Sequence, residues 1–298
     1  MSKPASRHHF RPVLHLRHFA DRDGLYAYDK QGILRTSKYM PKAVGAEKYL
    51  YSPEDGPEPH DDYVETWLAR TVDGPAARAL EAARRGLRLH NLQRSRLALY
   101  VAAQDMRTPL ARDHVVGAFQ RGLDAEYANL TEDLPSLRQS IRRATGTRYT
   151  LARLRELADD HSLECNKGVW LEFILRNVTR VGEILRGKNW YLVRAPSPYE
   201  FLTSDLGIVK FAKSFRRPVG YSFGFSAGRQ RWLMPLDPKT SLAIGPTSDS
   251  VAVTPAWLQA VNDQIVADAA RFVYSRTLDL RVIQQFTAVV RPGRRLAG

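Results

Sequence analysis

The stretch WLEFILRNVTRVGEILRGKNWYLV, residues 170–193, changes its period partway along. Trp170, Phe173, Ile174, Val178, Val181 and Leu185 recur at steps of three and four, which lays them along one face of a helix. After Gly187 that spacing stops, and Trp190-Tyr191-Leu192-Val193 reads as a short strand. Upstream of this switch the chain is predicted to be helical. Downstream, short β-prone runs are separated by Gly and Pro. The fold class that follows is α+β: a mostly helical middle, with one mixed sheet built from an N-terminal hairpin and C-terminal strands.

The upstream helices are punctuated by Pro and by capping residues. Val64, Trp67, Leu68 and Val72 share a face, Gly74-Pro75 interrupts, and residues 76–85 continue. Leu92, Leu97, Tyr100, Val101 and Met106 form the next apolar face, which Thr108-Pro109 ends or bends. Helices over residues 115–130, 134–144 and 150–160 follow, the last with Thr150 as a candidate cap. Downstream, residues 201–204, 219–225, 232–234 and 242–244 read as strands. Thr254-Pro255 opens a helix expected to run to about Tyr274. Near the start, Leu25–Asp29 reads as a strand, a turn at residues 30–32 follows, and residues 33–36 are its expected partner. Tyr49-Leu50-Tyr51 reads as a short strand or an anchored loop. Residues 52–62 are rich in Pro, Gly and acids and read as a solvated connection. The chain is expected to be one domain over residues 1–298. A helical subdomain at 61–186 would lie between sheet-forming segments at 1–51 and 188–250.

With 298 residues and 44% of them hydrophobic, the chain can bury a large core. A formal charge of +14 favours polyanionic partners, nucleic acid first. Cys165 is the single cysteine, so no internal disulfide and no thiolate cluster can form, which fits a reducing cytoplasm. The apolar runs are far shorter than a bilayer requires and the basic N-terminus lacks an apolar core segment, so no membrane partner and no secretory signal are expected. There is no Walker loop, dinucleotide fingerprint, His-Glu-x-x-His or nucleophile elbow, which disfavours the activities they serve and any nucleotide cofactor.

Basic residues cluster. Residues 70–112 carry nine Arg against Asp73, Glu81 and Asp105, and residues 138–155 carry six Arg and no acid. Lys210, Lys213, Arg216 and Arg217 are interleaved with Phe211 and Phe215. Cations among aromatics suit a single-stranded nucleic acid, through phosphate contacts and stacking. A solvated helix face is the ordinary alternative for each run.

Residues 9–19, HFRPVLHLRHF, hold a dense set of titratable and apolar groups. His9-x-x-Pro12, Leu16-Arg17-x-Phe19 and Leu25-Tyr26-x-Tyr28-Asp29-Lys30 are followed by Ala46-Glu47 and by a helix carrying Glu65. Then come Gln104-x-x-Arg107-Thr108-Pro109, Thr203-Ser204-Asp205, Pro235-Leu236 and Asn262. In this order and spacing the set resembles the bacterial domain-of-unknown-function 4238 family over nearly the whole chain. Where relatives tend to carry Asn-Pro after Thr-Ser-Asp, this chain has Leu206-Gly207. The resemblance implies a shared fold and a set of polar residues, and no chemistry.

Within that set, His9 can act as general base, general acid or metal ligand, or can simply hydrogen-bond the strand end beside Pro12. His8, His15 and His18 are expected to serve packing or the surface, since they lack zinc-ligand spacing. Asp205, at an expected strand end, is a candidate catalytic carboxylate; a loop-shaping Asx turn is the alternative. Gln104 and Arg107 share a helical face, where Gln104 could orient a water and Arg107 could grip a phosphate. The alternative for Arg107 is a helix C-terminal contact. Glu65 and Asp205 could together hold Mg²⁺ or Mn²⁺, or Glu65 could be a solvated helix position. The leading expectation is a phosphodiester-processing enzyme, a nuclease on RNA or DNA, with His9, Asp205, Arg107 and Gln104 as catalytic residues. Lys210, Lys213, Arg216 and Arg217 would bind the nucleic acid. A non-catalytic nucleic-acid-binding protein and a basic regulatory or interaction partner are the two alternatives.

Overall fold

The computed structural model describes residues 6–31, 37–53, 61–160, 163–212, 215–216, 218–220, 230–245 and 253–290. The helical middle begins with α2 (Tyr63–Trp67), which runs through a π-helical segment, Leu68–Asp73, into α3 (Gly74–Arg84). Pro75 therefore does not break the helix. The wider turn of the π segment carries the Gly74 amide to the Ala69 carbonyl five residues back and absorbs the donor that Pro75 lacks. α4 (Asn91–Met106) ends before α5 (Pro109–Glu132), where Thr108 accepts from the Ala111 amide and Pro109 takes the first turn. α6 (Leu134–Thr145), α7 (Leu151–Asp160) and α8 (Gly168–Arg186) follow. α4 and α8 lie so close that a Cβ on Gly182 would stand 3.1 Å from Leu99 Cα. A side chain there would press the Leu99 backbone back by a few tenths of an ångström.

The class is α+β, as expected. The strands do not form one mixed sheet, however. Those described lie in three sheets, all antiparallel. β5 (Asn189–Arg194), β7 (Val209–Phe211), β8 (Arg231–Asp237) and β9 (Thr240–Gly245) make one sheet in the order β5-β9-β8-β7. Both its faces are covered, so β8 and β9 are buried end to end. Trp232, Met234, Leu236, Leu242 and Ile244 point into the helical core shared with α3, α4 and α8. Leu233 and Ala243 point the other way, into a second core with α9 (Pro255–Asp268). That split is the two-residue alternation of a strand.

The second sheet joins the two ends of the chain, in the order β3-β2-β10-β6 from β2 (Leu25–Asp29), β3 (Lys38–Tyr39), β6 (Thr203–Ser204) and β10 (Phe272–Ser275). Its strand β10 corrects the expected helix to Tyr274: α9 stops at Asp268, and Tyr274 pairs with Ala27 and Thr203. Three successive amides, of Ala270, Arg271 and Phe272, are captured by the Asp205 side chain. Capture at that point takes the backbone out of helical hydrogen bonding. The expected hairpin partner at 33–36 lies outside the described residues, as do residues 221–225 of the expected strand at 219–225. The third sheet pairs β1 (Arg7–His9) with β4 (Ala46–Lys48). Tyr49-Leu50-Tyr51 is an anchored loop, held where the Tyr51 amide donates to His8 Nδ1 at 2.9 Å. A four-residue helix, α1 (Val13–Leu16), 3-10 turns at Arg17–Phe19 and Pro41–Ala43, and α10 (Leu280–Val290) complete the described elements. Among the described residues, no helix is long and apolar enough to cross a membrane.

Candidate functional site

β1 alternates, so its two histidines part company. His8 is fully buried and stacks on Tyr51 at 5.7 Å, which makes it a packing residue. His9 stays partly exposed. Its backbone amide donates to Glu65 Oε1 at 3.2 Å, and its ring lies 3.4 Å from the Lys42 carbonyl. Burial lowers the His9 pKa, and the charges of Arg7 and Arg107 lower it further. Glu65, in the first turn of α2, is a partly buried carboxyl rather than a solvated one. Burial pushes its pKa up to about 7, against the pull of the His9 amide and the Arg107 charge.

Behind this pair lies a buried polar centre. Arg107 caps α4, and its guanidinium is wholly enclosed, with Nη1 donating to both carboxylate oxygens of Asp73 at 3.0 Å. Burial works against that charge, but Asp73 together with Tyr51 and Tyr100 outweighs it and the Arg107 pKa rises. The Tyr51 hydroxyl donates to the Arg107 carbonyl, and the guanidinium lies over the Tyr100 ring. Arg107 is thus not placed to grip a phosphate at the surface. It reaches His9 and Glu65 through its field.

Arg11 is the residue whose importance the pattern did not reveal. Pro12 follows it, and the Arg11 amide donates to the Gly45 carbonyl. Its guanidinium, also fully buried, donates to Gln104 Oε1 at 2.8 Å and to Thr203 Oγ1 at 3.0 Å. It forms no ion pair with any described residue, and burial lowers its pKa to about 10. His15 Nε2 lies 2.9 Å from Arg11 Nη2 and 2.8 Å from the Pro235 carbonyl. A ring nitrogen can accept from the first or donate to the second, never both. Tyr100 O–H closes the group at 3.0 Å from His15 Nδ1. Burial and the Arg11 charge hold His15 well below its usual pKa, so the ring is neutral. The sequence singles out the partners Gln104, Thr203 and Pro235, but nothing in those motifs points to Arg11.

Gln104 is spent on Arg11 and does not orient a surface water. Asp205 does not line a cleft with His9. It is 3% exposed and accepts from the amides of Leu206, Ala270, Arg271 and Phe272. Burial raises its pKa while those amides oppose the rise. Among the described residues no three His, Cys, Asp or Glu side chains gather where a metal ion could sit, and Glu65 and Asp205 do not form such a group. Leu206-Gly207 has its own reason: Gly207 has φ +71°, and a Cβ there would fall 2.0 Å from Arg11 Nη1. Only glycine leaves room for the guanidinium.

The Lys210 cluster is also reassigned. Lys210 is fully buried, pairs with Asp105 at 2.9 Å and lies over the Trp232 ring. Phe211 and Phe215 pack with Trp257 in the second core, so neither can stack on a base. Arg216 is exposed, and Lys213 and Arg217 lie outside the described residues.

No curated protein and no solved structure matches this chain. A family model, described as protein of unknown function (DUF4238), matches residues 7–279, and the chain belongs to that family.

Proposed function

We propose that the protein processes phosphodiesters, with RNA or DNA as substrate, at the centre formed by Glu65 and His9. The observation that carries the reading is the contact between the partly buried Glu65 carboxyl and the His9 amide at 3.2 Å; burial pushes that carboxyl up to about 7 and lowers the His9 pKa. An imidazole that can take a proton and a carboxyl that can give one near neutral pH are what cleavage of a P–O bond requires. In this reading the His9 ring takes the proton of the attacking hydroxyl or water. Protonated Glu65 delivers a proton to the leaving oxygen, and the Arg107 charge behind them favours a phosphate over a neutral substrate.

Purified protein incubated with labelled single- and double-stranded RNA and DNA tests this. The reaction is run with and without Mg²⁺ or Mn²⁺, because one carboxylate together with substrate phosphate oxygens can hold Mg²⁺. Cleavage that falls at least a hundredfold in both His9→Ala and Glu65→Gln is the expected outcome. No cleavage of any substrate, or cleavage untouched by both substitutions, refutes it. Binding without catalysis is the second reading, and the exposed arginines of α5 to α7 favour it.

A further inference from the structure

α6 lays Pro135, Arg138, Gln139 and Arg142 along one stripe, at the three- and four-residue steps of a single helical face. The helix ends on Gly146, whose φ of 76° turns the chain back and brings Arg148 and Tyr149 against that stripe. Together these residues line a cavity of about 500 Å³. Arg138, Arg142 and Arg148 are exposed, and none of them forms an ion pair with any described residue. Asp133, the nearby acid, is spent capping the helix through the Ser136 amide. Two like charges four residues apart destabilise a helix when nothing neutralises them. Three guanidiniums around a concave, polar opening make a receptor for an anion with several oxygens, and the half-buried Tyr149 adds a flat face beside it.

We propose that this pocket seats a phosphate of a single-stranded nucleic acid, with the adjoining base stacked on Tyr149. The site shares no residue with the Glu65–His9 centre. It rests on the polyanion part of the function proposed above and not on its catalysis. It would hold a strand at a second point on the protein while another segment of that strand is presented elsewhere.

The test is fluorescence anisotropy of a labelled single-stranded oligonucleotide with the full chain across a salt series. The pocket triple variant R138Q/R142Q/R148Q is compared with a control triple, R22Q/R85Q/R176Q, which removes equal charge from exposed arginines paired with Asp23, Glu81 and Glu172. All six positions are exposed, and far-UV circular dichroism checks that both variants are folded. The pocket triple is expected to weaken binding at least tenfold and to flatten the log–log salt slope by about 0.7, for the one phosphate no longer neutralised. The control triple should change affinity less than twofold. Tyr149→Leu should weaken binding about fivefold or more at an unchanged salt slope. Equal effects of the two triples overturn the proposal, as does a wild-type chain that binds pyrophosphate but no oligonucleotide. His9→Ala should abolish cleavage and leave this binding intact, which separates failure of the catalytic reading from failure of the pocket.

Discussion

Replacing Glu65 by Gln should change how stability responds to pH, and the size of the change follows from burial. The carboxyl titrates near 7 in the folded chain, against an ordinary value of 4.5. A carboxyl raised on folding is the reverse of the usual acidic case. The folded state binds the proton more tightly, so its contribution is fully present below pH 4.5 and is lost as pH rises through about 7. Carrying those two values through the linkage relation, the wild type should lose about 2.5 kcal/mol from this group between pH 5 and pH 8. Glutamine has the same shape, can still accept from the His9 amide, and does not titrate. The difference in unfolding free energy between Glu65→Gln and wild type should therefore climb by about 2.5 kcal/mol across that range, in favour of the variant at high pH. Urea titrations at half-unit pH steps measure it, and taking the difference cancels every other titrating group. Parallel curves for the two proteins would mean that Glu65 is an ordinary solvated carboxylate, and the acid–base role given to it would fall with them.

Other substitutions report on the buried charges. Lys210→Met should cost about 3–5 kcal/mol in chemical denaturation by removing the ammonium that meets the buried Asp105 carboxylate, while Lys210→Met with Asp105→Leu should recover most of it. Gly207→Ala should cost more than about 3 kcal/mol, because a strained backbone adds to the loss of the Arg11 hydrogen bonds it would displace. Asp205→Ala should destabilise by about 3 kcal/mol or more, measured by urea unfolding, since it orphans three successive amides. A stable Asp205→Ala chain would return that carboxylate to the candidate reacting groups.

Local signals were legible where local chemistry decides. Thr254-Pro255 opens a helix because the hydroxyl and the ring act within one turn, and the face from Trp170 to Leu185 is buried as its spacing requires. Thr108-Pro109 reads as an end or bend of one helix, and it is also the start of α5. Long-range pairing was not legible. Lys210 reads as a surface cation beside phenylalanines, and only the fold brings Asp105 from α4 to meet it. Asp205 looks like an accessible acid at a strand end, yet the amides that claim it lie more than sixty positions later. Tyr274 continues an apolar helical pattern, but its neighbours across the sheet, Ala27 and Thr203, outweigh that local preference. Glu65 and His9 were singled out separately. Their meeting depends on β1 lying against the start of α2, which no spacing encodes.

The bonds made by Arg11 also constrain when the molecule can become whole. Its guanidinium holds Gln104 and Thr203, 93 and 192 positions further along, and neighbouring His15 meets Pro235 at a separation of 220. On a ribosome the residues around Arg11 emerge early, but the last of these partners is made only after most of the chain has left the exit tunnel. The segment around Arg11 thus waits for partners made much later, and a nascent chain truncated before Thr203 would carry an arginine with nowhere to bury its charge.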